Sequence, residues 1–203
     1  MADRSDQKSD ARGMLMTGNC VGLALMLTED VPIIARWNQD LDFTARIGTP
    51  GEAHTLEMRQ EFFKQSSRIT PDCAEFSIIE LSTGRLVGFG GLFDITRALG
   101  GSMFVGIGEA SLRKKGLGTE ACRLICEYGF FFINLHSIKV EVHEYNEAAR
   151  RVYERLGFKT VGRLRGTNLL NGRRYDEIIM DLLRSEFELK HVDRFRGLEA
   201  AGM

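Results

Sequence analysis

Apolar and polar positions alternate or recur in blocks along nearly the whole chain, and the spacing within each block predicts its element. Residues 21–27 are almost continuously apolar, from Val21 through Leu23, Ala24 and Leu25 to Leu27, as in a buried strand. Thr28, Glu29 and Asp30 then supply capping oxygens ahead of Pro32, so a helix is predicted to about Trp37. A second helix, over about residues 51–67, carries Leu56, Phe62 and Phe63. From residue 75 the period becomes that of strands. Residues 75–81 and 85–93 flank Ser82-Thr83-Gly84, a short hairpin turn, and Gly100-Gly101 leads into a third member of this meander at 103–109.

The strongest helical pattern covers 116–135. Leu117, Ala121, Leu124, Ile125, Tyr128, Phe132 and Leu135 recur at three- and four-residue steps on one stripe, and Glu120, Arg123 and Glu127 fall opposite, at ion-pair spacing. A strand follows at 138–142, with Ile138, Val140 and Val142 on one face and Lys139, Glu141 and His143 on the other. A polar face on a central strand is a candidate site. Asn146 can cap a further helix whose apolar face holds Ala149, Val152, Tyr153 and Leu156, and Gly157-Phe158 has the form of a glycine stop. Strands at 160–169 and 174–183 flank Asn171-Gly172, the strongest hairpin signal in the chain. There is no internal repeat or low-complexity segment.

Composition narrows the class. A chain of 203 residues with 43% hydrophobic content suits one well-buried core. The expected organisation is a polar, disordered tail over 1–14, one domain over 15–187 and a C-terminal extension over 188–203. Lys+Arg 27 against Asp+Glu 28 leaves a net charge of -1, which argues against a nucleic-acid partner, so any positive site must be local. The longest apolar stretches, 21–27 and 130–135, are far shorter than the roughly 18 residues a membrane span requires, and the first dozen residues contain no apolar core of a signal peptide. No membrane partner is expected. Cys20, Cys73, Cys122 and Cys126 form no metal-ligand grouping. Cys122 and Cys126 sit one helical turn apart, where small packing residues are commoner than a redox pair, and reduced thiols point to the cytoplasm.

One loop stands out chemically. Arg113-Lys114-Lys115-Gly116-Leu117-Gly118-Thr119 lies between a predicted strand and the longest helix. A helix N-terminus presents unpaired N–H groups, and glycines there let the backbone approach an anion closely. Three cations at the positive end of a helix dipole oppose it unless an anion is bound, although a solvated basic loop is the simpler alternative. Ser111 stands where a dinucleotide fingerprint starting at Gly106-x-Gly108 needs its third glycine, and no phosphate-loop GxxxxGK[ST] sequence occurs.

The segment Arg113-x-x-Gly116-x-Gly118 resembles the Arg/Gln-x-x-Gly-x-Gly/Ala signature of the GCN5-related N-acetyltransferase (GNAT) superfamily. The stretch from Asn146 through Tyr153 to Gly157-Phe158 is similar to its second motif, in the expected order. Within the superfamily the element order resembles the ribosomal-protein N-terminal and spermidine acetyltransferases. Motif similarity is close only over residues 103–183. The resemblance implies an α/β (α+β) fold with a central mixed, mostly antiparallel twisted sheet of about seven strands flanked by about four helices. It further implies acetyl-CoA as acyl donor and no metal. The cofactor would be held by the backbone of Val105, Ile107 and Gly108, by the turn from Arg113, Lys114 and Lys115 through Gly116, Leu117, Gly118 and Thr119, and by Asn146 and Tyr153.

By the same resemblance Tyr153 is the general acid for the leaving thiolate, since a phenol of pKa near 10 is protonated at neutral pH; on its pattern alone it is a core aromatic. Glu141 is the first candidate for a base, His143 the second and Glu109 the third, each with ion pairing as the plain alternative. Asn146 is explained by the helix cap alone. Trp37, Phe43 and Tyr175 are either pocket walls or packing residues. Two functional readings follow. One is an N-acetyltransferase acting on a primary amine, whether of a protein N-terminus, a polyamine or a small molecule. The other is a non-catalytic acyl-CoA-binding or regulatory module. The final hairpin and tail offer a surface for a homodimer.

Overall fold

The apolar blocks close into one layered structure, described for residues 12–52, 54–66 and 70–190 in a computed structural model. Its strands are β1 (Met16–Thr17), β2 (Val21–Leu25), β3 (Ala74–Glu80), β4 (Leu86–Thr96), β5 (Gly100–Ile107), β6 (Ser137–His143), β7 (Lys159–Leu170) and β8 (Arg173–Leu183). Its helices are α1 (Val31–Trp37), α2 (Leu41–Ile47), α3 (Leu56–Ser66), α4 (Leu117–Glu127) and α5 (Glu147–Leu156). All eight strands form one sheet in the order β1-β2-β3-β4-β5-β6-β8-β7. Every pairing is antiparallel except that of β5 with β6.

Beyond the seven strands and four helices expected, the structure adds the two-residue β1 and the helix α2. The residues of α2 conceal it, because Leu41, Phe43, Ala45 and Ile47 alternate with polar residues at strand spacing. Its ends decide otherwise. Asp40 accepts a hydrogen bond from the Asp42 N–H at 2.9 Å, and Gly48 closes the helix at φ 97°.

Two of the polar positions assigned to the outer face of the long helix are not solvent-facing. Glu127 is fully buried and accepts from the Lys190 N–H at 3.1 Å. Glu120 accepts from the backbone N–H groups of Asn19, Cys20 and Val21 at 2.6–2.8 Å and from the Cys20 thiol at 2.9 Å. This carboxylate fastens the first turn of α4 to the loop between β1 and β2. The helix also stops early: it passes into a π turn over Tyr128–Phe132, where Gly129 packs so tightly that an added Cβ would lie 2.9 Å from Ile138.

Side chains from the two faces of the sheet enter separate cores; Val87 and Phe89 of β4, two residues apart, reach opposite cores because the register against β3 shifts between them, Ile78 pairing with Gly88 and Ile79 with Leu86. The larger core joins the sheet to α4 and α5 through Leu124, Ile125, Phe130, Ile138, Leu156 and Leu182. The smaller contains Met26, Ile34, Trp37, Phe43 and Phe89 and is covered by α1 and α2. Cys122 and Cys126 are buried in the larger core as free thiols, and burial pushes Cys122 up to about 12. They act there as packing residues.

The predicted tails are only partly described. Residues 1–11 and 191–203, and residue 67 at the expected end of the second helix, lie outside the described residues. Arg12, assigned to the tail, donates to Asp30 Oδ1 at 2.7 Å and to the Leu25 carbonyl. Asp30 in turn accepts from Ser77 at 2.7 Å beneath it.

Candidate active site

The parallel pairing of β5 with β6 is short. It covers only Gly100–Ser102 against Ser137–Lys139, and beyond Ser102 the strands diverge while β5 stays paired to β4. The Gly108 N–H donates to the Val87 carbonyl at 3.0 Å. By the alternation of an antiparallel ladder, Gly106 and Gly108 therefore direct their N–H groups to β4, whereas Val105 turns its N–H and C=O, and Ile107 its N–H, into the gap. The result is half a sheet edge, free to pair with an extended ligand.

The gap opens into a cavity of about 780 Å³. One wall is Met103 to Ile107 of β5, and the other is Glu141, Val142 and His143 of β6. Phe43, Ile47 and Gly48 of the α2 segment close it on one side, and Asn146, Ala149, Val152 and Tyr153 of α5 on another. The small residue at 106 sets how closely α2 approaches, since a Cβ there would lie 2.9 Å from Ile47 and 3.0 Å from Phe43.

The far end of the cavity is the turn into α4. Lys114 and Gly116 both have left-handed backbone, at φ 63° and 85°. No side chain caps the helix, and Glu120 is the residue whose N–H returns to the Gly116 carbonyl, at 3.0 Å. The N–H groups of Leu117, Gly118 and Thr119 precede that first intrahelical bond and form an anion-seeking N-terminus. Gly118, Thr119 and Lys114 line the cavity; Lys115 is exposed beside it, and the Leu117 side chain is buried in the core. Around the opening Arg46, Arg113, Lys114, Arg151 and Arg155 outnumber Asp42 and Glu141.

Arg113, the first residue of the signature, has a side chain committed inward. Its Nη1 pairs with Asp42 Oδ2 at 2.7 Å, its Nη2 donates to the Gly108 carbonyl at 3.0 Å and its Nε to the Ile107 carbonyl at 3.3 Å. The guanidinium thus ties the end of β5 to α2, behind the turn. Asp42 also receives Arg46 at 2.9 Å, and hydrogen bonds from Arg46 and then Arg113 hold its carboxyl down at about 2.

Tyr153 occupies both positions considered for it. It belongs to the larger core, packed against Phe158 at 5.6 Å between ring centroids, and it lines the cavity. Burial, reinforced by the neighbouring thiols of Cys122 and Cys126, drives its ionisation far above the usual tyrosine range, so the phenol keeps its proton. Asn146 uses both ends of its amide: Oδ1 caps the Ala149 N–H at 3.2 Å and Nδ2 donates to the Arg46 carbonyl at 2.9 Å.

The candidate bases differ in environment. Glu141 is about half exposed and ion-paired with Lys139 at 2.7 Å. Glu109 lies outside the cavity walls and meets Arg85 at 3.3 Å. His143 is 6% exposed, although Lys139 and Glu141 on the same face are exposed, because the end of α2 covers only the last residue of β6. Neither of its ring nitrogens has a hydrogen-bond partner among the described residues. Trp37 is not a wall residue; it packs under Gly108, where a Cβ would lie 2.0 Å from its ring. Phe43 does line the cavity, and Tyr175 stands outside it, edge-on to Tyr145 at 5.0 Å. Sequence reading missed Asp42, Tyr145 and Glu177. The Asp40 and Gly48 ends of α2 were the available signal for the first, and the β6–β8 register supplies Glu177.

The acetyltransferase (GNAT) domain family matches residues 21–159. This chain belongs to that family. Among relatives of the GNAT protein, the probable N-acetyltransferase YjcK of Bacillus subtilis (strain 168) is 33% identical over 114 residues, covering 56% of this chain and 63% of that one. The spermidine N(1)-acetyltransferase of Escherichia coli (strain K12) is 34% identical over 77 residues, or 38% of this chain and 41% of that one. The chain thus spans less than two thirds of the length of either relative. In fold, it is similar to the spermidine N-acetyltransferase from Vibrio cholerae whose crystal structure holds CoA and spermine, with a TM-score of 0.74 and 21% identity over 82% of this chain and 96% of that one. The GNAT protein has no helix, among its described residues, long and apolar enough to cross a membrane.

Proposed function

We propose that this GNAT protein transfers the acetyl group of acetyl-CoA to a primary amine by direct attack on the thioester. One observation carries the reading: the unpaired edge of β5 and an uncapped helix N-terminus line one and the same cavity. An extended amide-bearing arm matches the first feature and a pyrophosphate the second. In this reading Val105 and Ile107 pair with the pantetheine arm, and the N–H groups of Leu117, Gly118 and Thr119 receive the pyrophosphate. Lys114 and Lys115 supply positive charge to the phosphates, with Arg151 and Arg155 at the rim. Gly108 and Arg113 shape the end of β5. Asn146 positions α5, Tyr153 protonates the thiolate, and Glu141 or His143 relieves the amine of its proton.

The amine in this reading is that of a protein N-terminus, a polyamine or a small molecule, and the spermidine acetyltransferases among its relatives and structural neighbours support the polyamine. The four free cysteines favour a reducing, cytoplasmic setting. The long β7–β8 hairpin, whose outer strand exposes Val161, Leu164 and Leu169, is the surface assigned to a homodimer. Incubation with acetyl-CoA and a broad amine panel should release free thiol in an amine-dependent, saturable manner, and mass spectrometry of the products would name the acceptor. Absence of release across the panel, with acetyl-CoA bound, would replace this reading with a binding module.

A further inference from the structure

Residue 177 of β8 lies directly across the sheet from residue 143 of β6. In that register the His143 Nδ1 faces the Glu177 carboxylate at 3.8 Å, a small side-chain rotation from a hydrogen bond. Its Nε2 points the other way, toward Gly48 at the end of α2, where an added Cβ would stand 3.7 Å from it. Gly48 and His143 both line the cavity, and Nε2, itself closed to solvent, lies in its wall at van der Waals distance from the Gly48 position. A buried imidazole with both nitrogens unpartnered is costly to keep, and such groups concentrate where chemistry needs them.

Resting on the acetyl-transfer reading above, we propose that Glu177 is a positioning residue that holds the proton of His143 on Nδ1 and so makes Nε2 the proton acceptor for the incoming amine. The other groups around the ring leave that role to Glu177. Tyr145 lies tilted beside the imidazole at 5.2 Å and donates its hydroxyl to the Ala45 carbonyl at 2.9 Å. Tyr175 meets Tyr145 edge-on. The Arg46 guanidinium is held by Asp42, and Glu141, two residues back on β6, is held by Lys139. In the reaction the amine nitrogen forms a bond to the acetyl carbon as its proton passes to Nε2. The carbon–sulfur bond breaks, and the thiolate takes the Tyr153 proton. Solvent then relays the His143 proton back to the phenol.

The test uses the full chain with E177Q and H143N, and with acetyl-CoA plus spermidine or a peptide bearing a free N-terminal serine. Nitrogen-15 NMR of labelled histidine, with the His143 signal assigned by its loss in H143N, should show the Nδ1–H form in the wild type and a mixture of tautomers in E177Q. H143N should lower kcat by roughly 100-fold. E177Q should lower kcat roughly tenfold, since only the fraction with the proton on Nδ1 can accept at Nε2. The KM for acetyl-CoA and the melting temperature should be unchanged in E177Q. An Nε2–H tautomer in the wild type, or an E177Q kcat and tautomer equal to wild type, overturns the proposal even where acetyl transfer stands. If neither amine is turned over, it is the acetyl-transfer reading that fails for these acceptors, and the tautomer alone decides the hold of Glu177 on His143.

Discussion

Replacing Arg113 separates two roles for the basic residue that opens the turn. If it were a phosphate ligand, its loss would be felt mainly in acetyl-CoA affinity. As a brace it should be felt mainly in stability. The guanidinium side chain is 18% exposed and makes hydrogen bonds to two carbonyls at the end of β5. Charged hydrogen bonds contribute about 1.5–3 kcal/mol each when well formed, and the 3.3 Å contact to Ile107 falls toward the weak end. Asp42 is 55% exposed and shared with Arg46, so that ion pair adds at most about 1 kcal/mol.

Arg113→Gln keeps one donor and loses the charge, for an expected cost of about 2–3 kcal/mol. Urea unfolding followed by the fluorescence of Trp37, the single tryptophan, should register this as a midpoint lower by about 1 M. Calorimetric acetyl-CoA affinity should fall less than about tenfold, equivalent to about 1.4 kcal/mol. A midpoint equal to wild type together with affinity weakened about 100-fold or more would refute the brace and return the side chain to the phosphates.

Three further outcomes follow from the same geometry. Tyr153→Phe should lower turnover by about 100-fold while changing acetyl-CoA affinity little, as steady-state kinetics and calorimetry would show; a loss confined to stability would mean the ring only packs. Gly108→Ala should cost at least about 1–3 kcal/mol, because its Cβ would lie 2.0 Å from the buried Trp37 ring, and an unchanged urea midpoint would contradict the packing of α1 under β5. Asp42 is held at about 2 in the folded protein, below the unfolded value near 3.9, so its contribution is fully present above pH ~4 and is lost as pH falls toward 2. The stability advantage of wild type over Asp42→Asn in urea should therefore be constant from pH 5 to 7 and shrink as pH falls below ~4; an advantage that grows on acidification would reverse the sign of this argument.

Legibility followed the range of the interactions. The strands, the hairpin at Asn171-Gly172 and the Asn146 cap depend on neighbours a few residues away, and these elements appear where the pattern places them. At the hairpin both φ angles are positive, 51° and 73°, as a two-residue turn demands. The glycine turn before α4 was readable for the same reason. The helix α2 was not, because its apolar spacing imitates a strand and its identity rests on cap geometry at Asp40 and Gly48. Glu120 and Glu127 read as surface charges because a helical wheel shows which side a residue lies on, not what will cover that side.

The sequence by itself determined the layered α/β class, the order of its elements, and an anion-seeking helix start at residues 116–119, since periodicity and turn chemistry are local properties. Only the tertiary structure decided what surrounds that turn. It separated β5 from β6 to expose the Val105 backbone and the Ile107 N–H, drew the Arg113 side chain back onto Asp42, 71 residues away in the chain, and set Glu177 opposite His143. Charges and hydrogen-bonding groups act over a few ångströms of space regardless of the number of residues between them, so the partner each side chain finds is fixed by packing and register, and neither is written in any single stretch of the chain.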